Sequence, residues 1–470
     1  MKKTLLLMLA LLLAVGSFAQ DEQKPKKEKK AKKEKVYNEK GEIIKTGWNV
    51  GPLPVLGFDS DLGFQYGACV DIFNFGDGTR YPRYFYKFNV EISRYTRGSG
   101  VFRFYADMPY LIKDTKLFFD LTYNYSKKFE FFGFNGYEAG AFDPVEDVIQ
   151  QMQILDPELD STSGYHFIKR NTLRFVGSMQ RSFFHVPNLN WVAGLAYYNV
   201  KTDSISLDNY KGQPTLYTNY VNAGIIKENE KNGGNIGQLR LGLIYDSRDH
   251  NSDPSKGIYA EYTLTGSTDF HKRDGYHSLM QTFIWRHYIP IYKDKLTLAY
   301  RLGVQHKIVG NTPWYMINNI NMPFFQKMYT EGLGGVVTMR GVNRNGVLGD
   351  GFLLGNVELR WHFVSFKFIN QNWQLAFSPF FDAGMIIQPF RKQEIIQAQM
   401  DYEASLPEGQ KAEQFYYSGN KEGVHMAAGG GLKIIMNRNM ILSVDVGRAL
   451  DARDRDKKAV KVFVGFNYIF

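Results

Sequence analysis

Val460-Lys461-Val462-Phe463-Val464-Gly465-Phe466-Asn467-Tyr468-Ile469-Phe470 decides the fold. Val460, Val462, Val464, Phe466, Tyr468 and Phe470 share one face of an extended chain. Lys461, Phe463, Gly465, Asn467 and Ile469 share the other. Apolar residues at every second position describe a strand with lipid on one side. A tilted strand needs about 9–11 residues to cross a bilayer. No open sheet edge is tolerated in hydrocarbon, so such a strand predicts a closed barrel.

The start of the chain agrees with an outer-membrane destination. Lys2 and Lys3 precede an apolar run from Leu5 to Val15, and Ser17-Phe18-Ala19 supplies a small-x-small cleavage site. Residues 1–19 therefore read as a signal peptide, too short for a spanning helix. No later run approaches 18 apolar residues, yet the chain holds 30 tyrosines and 36 phenylalanines. The single cysteine, Cys69, has no partner for a disulfide within the chain. Of the net charge of +10, much is local, because residues 1–46 contain twelve lysines and six acids. Positions 24–35 alone carry eight lysines, so residues 20–46 read as a solvated, disordered periplasmic tail. Attraction of that tail to acidic lipid headgroups is the functional alternative. Nucleic acid is not an expected partner of an exported chain.

Residues 47–470 read as an all-β, transmembrane antiparallel barrel of sixteen strands, with fourteen as the competing count. The alternating segments fall at 47–59, 63–74, 83–95, 100–109, 115–127, 165–183, 190–201, 236–247, 257–268, 276–288, 294–307, 351–364, 372–384, 424–436, 439–449 and 459–470. In one of them Leu117, Phe119, Leu121, Tyr123 and Tyr125 oppose Asp120, Thr122 and Asn124. The polar set must face the lumen, since a charge facing mid-bilayer lipid costs about 2–4 kcal/mol. Asn437-Arg438-Asn439 is a short connection, whereas 128–164, 202–235, 308–350 and 385–423 are long. The short class falls on the periplasmic side and the long class outside. The first strand carries Pro52 and Pro54, which lack N–H groups on the same edge. Residues 47–59 either precede the barrel or form one side of a weakly zipped seam. Pro52, Pro54, Phe466 and Phe470 are the candidate seam residues.

Three local patterns carry a resemblance. Thr338-Met339-Arg340-Gly341-Val342 sits in a long outer connection rich in glycine, followed by Asn356-Val357-Glu358-Leu359-Arg360 and Phe380-Phe381-Asp382-Ala383-Gly384 on successive strands. Asp246-Ser247-Arg248-Asp249 precedes Pro254 and Gly257. Together they resemble the BamA-like bacterial surface antigen superfamily, which includes two-partner-secretion barrels. Phe131-Phe132-Gly133-Phe134-Asn135 weakly resembles a segment of its short members. The resemblance implies that the long outer loop folds inward and that Arg340, beside Gly341, meets Glu358 and Asp382 in a lumen clasp. It also implies a periplasmic turn motif formed by Asp246, Arg248, Asp249, Pro254 and Gly257. Val342 departs from the family's aromatic, which predicts looser packing. No room for a POTRA domain lies between Gln20 and the barrel, so the chain is similar to short members lacking them.

No G-x-S-x-G elbow, H-x-x-x-H or C-x-x-C spacing is present. Asp246, Asp249, Asn251 and Asp253 fail as a calcium loop, because Arg248 intervenes and Gly257 stands where glutamate is needed. No enzyme activity, cofactor or metal is expected. The expectation is a bacterial outer-membrane barrel that assembles, inserts or translocates proteins or lipids. Its expected partners are outer-membrane lipids and periplasmic or outer-membrane proteins. A passive pore and a structural subunit of a larger complex are the alternatives.

Overall fold

The computed structural model describes residues 36–37, 43–59, 63–96, 98–134, 165–184, 186–205, 215–270, 275–319, 332–407, 423–450, 460–466, 468 and 470. The predicted signal peptide and the lysine run lie outside these residues. The chain divides into Met1–Ile43 and Ile44–Phe470. In the first unit, Tyr37 and Ile43 form a single antiparallel bridge.

The second unit is one sixteen-stranded antiparallel sheet in sequence order. Its strands are β1 (Trp48–Asp59), β2 (Gly63–Asn74), β3 (Tyr86–Tyr95), β4 (Gly100–Ile112), β5 (Thr115–Glu130), β6 (Phe167–Ser182), β7 (Leu189–Ser204) and β8 (Gly233–Asp246). They continue as β9 (Gly257–Thr268), β10 (His277–Tyr292), β11 (Leu296–Gly310), β12 (Gly351–Phe368), β13 (Gln371–Gln388), β14 (His425–Met436), β15 (Met440–Ala449) and β16 (Lys461–Phe466). Sixteen strands agree with the reading from alternation. Along β12, Asn356, Glu358 and Arg360 are buried while Val357, Leu359 and Trp361 are exposed, so one face meets the lumen and the other lipid. The four long connections, after β5, β7, β11 and β13, fall at one rim, which also carries the short connections after β1 and β3.

β1 belongs to the sheet. It pairs with β2 at every position from Trp48↔Asn74 to Asp59↔Gly63. A ladder can run unbroken through Pro52 and Pro54 only if their donor-less edge faces away from β2. That edge faces β16, which lies beside β1. Among the described residues no ladder joins β1 to β16, whereas each other neighbouring pair is zipped.

β16 departs from the expectation. It ends at Phe466, and the chain then turns inward: Tyr468 is 2% and Phe470 6% exposed. The Arg360 guanidinium accounts for the turn. It sits over the rings of Tyr468 (3.9 Å) and Phe470 (5.1 Å), and its Nη2 donates to the Phe470 main-chain oxygen at 2.7 Å. A buried cation paired with Glu358, which also gains two aromatic faces and a main-chain oxygen, competes successfully with lipid for the same side chains. β12 and β13 run four residues further than alternation indicated, with a bulge between His362 and Val364.

The described parts of the long connections pack together as a cap at their rim. Helix α1 (Leu216–Asn222) starts from Thr215, whose hydroxyl and that of Thr218 form a reciprocal capping box. Tyr217 and Tyr220 of α1 pack with Phe131, Phe134, Trp314 and Phe390 from three further outer connections. Helix α2 (Lys392–Ser405) contributes Ile395.

Candidate functional site

The long outer connection between β11 and β12 descends into the lumen. Its described part closes on itself through the Leu333–Val347 bridge. Thr338 Oγ1 accepts from Gly334 N at 2.9 Å. Leu333, Met339, Val342 and Val347 pack on Ile284, Phe352, Leu354, Ile386, Ala427 and Ala449 of the wall. Val342 is thus fully packed rather than loose, since the smaller side chain fits a pocket made of strand residues. Gly341 has φ +105°, and a Cβ there would stand 2.7 Å from the main chain of Arg448. Opposite it, a Cβ on Gly447 would meet the Arg340 carbonyl at 2.9 Å. The two glycines let loop and β15 backbones touch.

Arg340 is wholly buried. Its Nε donates to Asp382 Oδ2 at 2.9 Å and its Nη2 to Oδ1 at 3.0 Å. The Arg340 main-chain N–H also reaches Asp382 Oδ2 at 3.0 Å. Nη1 donates to Glu358 Oε1 at 2.6 Å and lies 3.5 Å from Asp445 Oδ1. The guanidinium covers the Phe380 ring at 3.5 Å. A guanidinium removed from water needs this many partners to offset desolvation. Arg340, Gly341, Glu358 and Asp382 are therefore brought together.

The surrounding network includes residues that the motifs did not single out. Asn356 Nδ2 bridges Asp382 Oδ1 (2.7 Å) and Thr338 O (2.8 Å), and Arg301 Nε donates to Asn356 Oδ1 at 2.8 Å. Lys433 Nζ donates to both carboxylate oxygens of Asp445, at 2.6 and 2.7 Å. Arg360 Nε donates to Glu358 Oε2 at 2.9 Å. The lumen-facing side of each strand could have flagged Asp445 and Lys433. Their partnership could not be read without the register.

The turn motif, between β8 and β9, forms a second centre at the rim opposite the long connections. Asp246 accepts from Arg248 Nε and Nη2, each at 2.8 Å. Asp249 accepts from Ser255 Oγ (2.6 Å) and from the N–H groups of Ser255 (2.9 Å) and Lys256 (3.2 Å). Burial alone would raise the Asp249 carboxyl, but these donors and Arg438 hold it below its usual range. Gly257 has φ +105°, and a Cβ would meet Ser247 O at 2.4 Å. Pro254 follows Asp253, which is 1% exposed. His250 is 2% exposed, and its Nδ1 accepts from Asp253 N (3.1 Å) and Ser252 N (3.3 Å). Burial, aided by Arg438, pushes this imidazole down to about 3. The turn therefore folds inward, and the carboxylates of Asp246 and Asp249 are occupied by protein donors.

The seam candidates divide. Pro52 and Pro54 lie on the free edge of β1 opposite β16, and Phe466 closes β16, paired with Leu442. Phe470 is off the strand, in the lumen against Tyr288 and Ala299.

A third centre, in the outer cap, had no motif. Arg391 Nη1 and Nη2 donate to Glu230 Oε1 (2.6 Å) and Oε2 (3.1 Å). Arg391 Nη2 also donates to Thr312 O at 2.7 Å, and Trp314 N to Glu230 Oε2 at 3.1 Å. One buried ion pair thus ties three outer connections.

A family model described as the Omp85 superfamily domain matches residues 86–467. No curated protein matches the chain. Among solved structures, BamA from Haemophilus ducreyi lacking POTRA domains 1-3 is similar at 18% identity and TM-score 0.46, over 90% of this chain and 70% of that one. CdiB from Acinetobacter baumannii is similar at 12% identity and TM-score 0.43, over 91% of this chain and 60% of that one. The chain belongs to the Omp85 superfamily, barrels of the bacterial outer membrane.

Proposed function

We propose that the barrel assists the insertion or translocation of other macromolecules, proteins first, at the seam between β1 and β16, together with periplasmic or outer-membrane partner proteins. One observation carries the reading: β1 and β16 lie side by side with no ladder among the described residues, and the β1 edge is donor-poor at Pro52 and Pro54. Unpaired backbone groups in hydrocarbon are costly, so this junction is where an incoming strand can pair and where the bilayer is disturbed. Membership of the Omp85 superfamily supports insertion or secretion as the class of work. The packed cap over the outer mouth supports a seam route over passive flow through the lumen.

The test is a disulfide lock. With Cys69 replaced by serine, cysteine pairs are placed across β1 and β16, and the protein is reconstituted in vesicles. An unfolded eight-stranded barrel protein is added and its folding rate followed. The barrel should speed folding when reduced and lose the effect when oxidised. Equal acceleration by the locked form would remove the seam from the mechanism.

A further inference from the structure

The turn between β8 and β9 belongs to the wall opposite the seam, yet its partners come from the turns on either side of the seam. At the periplasmic rim the β2–β3 turn is the nearest turn on the β1 flank, and the β14–β15 turn the nearest on the β16 flank. Arg83 of the first donates from Nη2 to Asp249 O at 3.5 Å. Arg438 of the second donates from Nη2 to Asp253 O at 2.8 Å and lies 3.6 Å from Asp249 Oδ2 and from Asp253 Oδ2. The two flanking turns also touch directly. Asn439 Nδ2 donates to Pro82 O at 2.8 Å, and Tyr81 OH lies 3.5 Å from Asn437 Oδ1. The chain beyond β16 reaches the same point: Tyr468 OH is 3.2 Å from His362 Nε2, which is 3.5 Å from Asp253 Oδ1.

We propose that the β8–β9 turn is the latch of the seam. Held by one arginine from each flank, it keeps β1 and β16 together where no ladder among the described residues does so, and the seam opens when the turn lets go. The turn is built for that task. Asp246 fixes Arg248, and Asp249 fixes Ser255 and Lys256, so the turn arrives as a rigid piece with carbonyls and carboxylates directed to Arg83 and Arg438. A rigid tie between two flanks transmits a pull at its own position to both. A periplasmic ligand that displaces either arginine would then loosen both flanks of the seam in one movement. This inference rests on the seam reading above and gives the Asp-Ser-Arg-Asp turn a role in it.

The test is hydrogen exchange of the full-length protein in lipid nanodiscs, without cargo. Arg438→Ala should accelerate exchange about tenfold or more in peptides covering 247–256, 48–59 and 461–466, while β5 and β6 keep wild-type rates. Arg438→Lys, which retains the charge, should restore part of the protection. Faster exchange in 247–256 with unchanged β1 and β16 would overturn the latch, as would no change anywhere. If Arg438→Ala does not fold, Arg83→Ala, which removes the contact to Asp249 O, gives the same reading from the other flank. Because no cargo is present, a negative result refutes the latch and leaves the assembly reading to its own folding-rate test.

Discussion

Replacing Arg340 with alanine removes the cation at the centre of the lumen network. Asp382 accepts four hydrogen bonds: three from Arg340, of which one is main-chain, and one from Asn356. Alanine keeps the main-chain donor and Asn356, so Asp382 loses half of its donors and all of its direct cation. Glu358 loses a 2.6 Å bond and keeps Arg360. Three charge-assisted bonds at about 1.5–3 kcal/mol each set an upper bound. Arg301, Arg360 and Lys433 remain near the carboxylates and moderate the loss. Breaking a buried pair from one side costs about 3–5 kcal/mol, and we expect the lower end. The assay is equilibrium unfolding in guanidinium with lipid vesicles, as a cycle of Arg340→Ala, Asp382→Asn and the double variant. The double variant should be less destabilised than the sum of the singles by about 2 kcal/mol. Additive losses, or a cost of Arg340→Ala under about 1 kcal/mol, would refute the clasp as a source of stability.

Gly341→Ala forces a side chain into a left-handed position against Arg448, so it should cost about 2 kcal/mol and expose residues 332–350 to protease. Wild-type resistance would mean the loop is not held as described. Glu230→Ala leaves Arg391 without its carboxylate and frees three outer connections. Planar-bilayer recordings should change from closed to flickering, and a variant as silent as wild type would show that the cap does not rest on this pair. His250 titrates near 6.5 in the unfolded chain and near 3 in the fold, among Arg438, Arg83, Asp249 and Asp253. Its folded-state pKa is the lower one, so its stabilisation of the turn is complete above pH 6.5 and is lost as pH falls towards 3. An NMR titration of this imidazole should show no midpoint above pH 4 while the turn is intact, and a midpoint near 6.5 would contradict its burial.

Strand positions were legible because lipid on one side and a polar lumen on the other impose alternation along the strands. Fifteen of the sixteen strands keep the expected segments and extend or retreat only at their ends. The last failed for a physical reason. Tyr468 and Phe470 suit lipid and the face of a buried guanidinium equally well, and only the position of Arg360 decides between them. The Arg340 clasp was reachable because resemblance named the loop and alternation placed Glu358 and Asp382 inward. Asp445 and Lys433 needed the β14–β15 register, which pairs Lys433 with Ser443 and Gly431 with Asp445. The cap pair Glu230–Arg391 and the latch arginines sit in connections without period. Nothing in their spacing separates them from solvated loop residues.

Whether β1 and β16 part during work is best measured by the folding rate of a barrel substrate on proteoliposomes carrying a β1–β16 disulfide, before and after reductant. Reduced protein should accelerate folding, oxidised protein should not, and reductant should restore the rate in the same vesicles. Undiminished acceleration by fully oxidised protein would contradict a seam that opens.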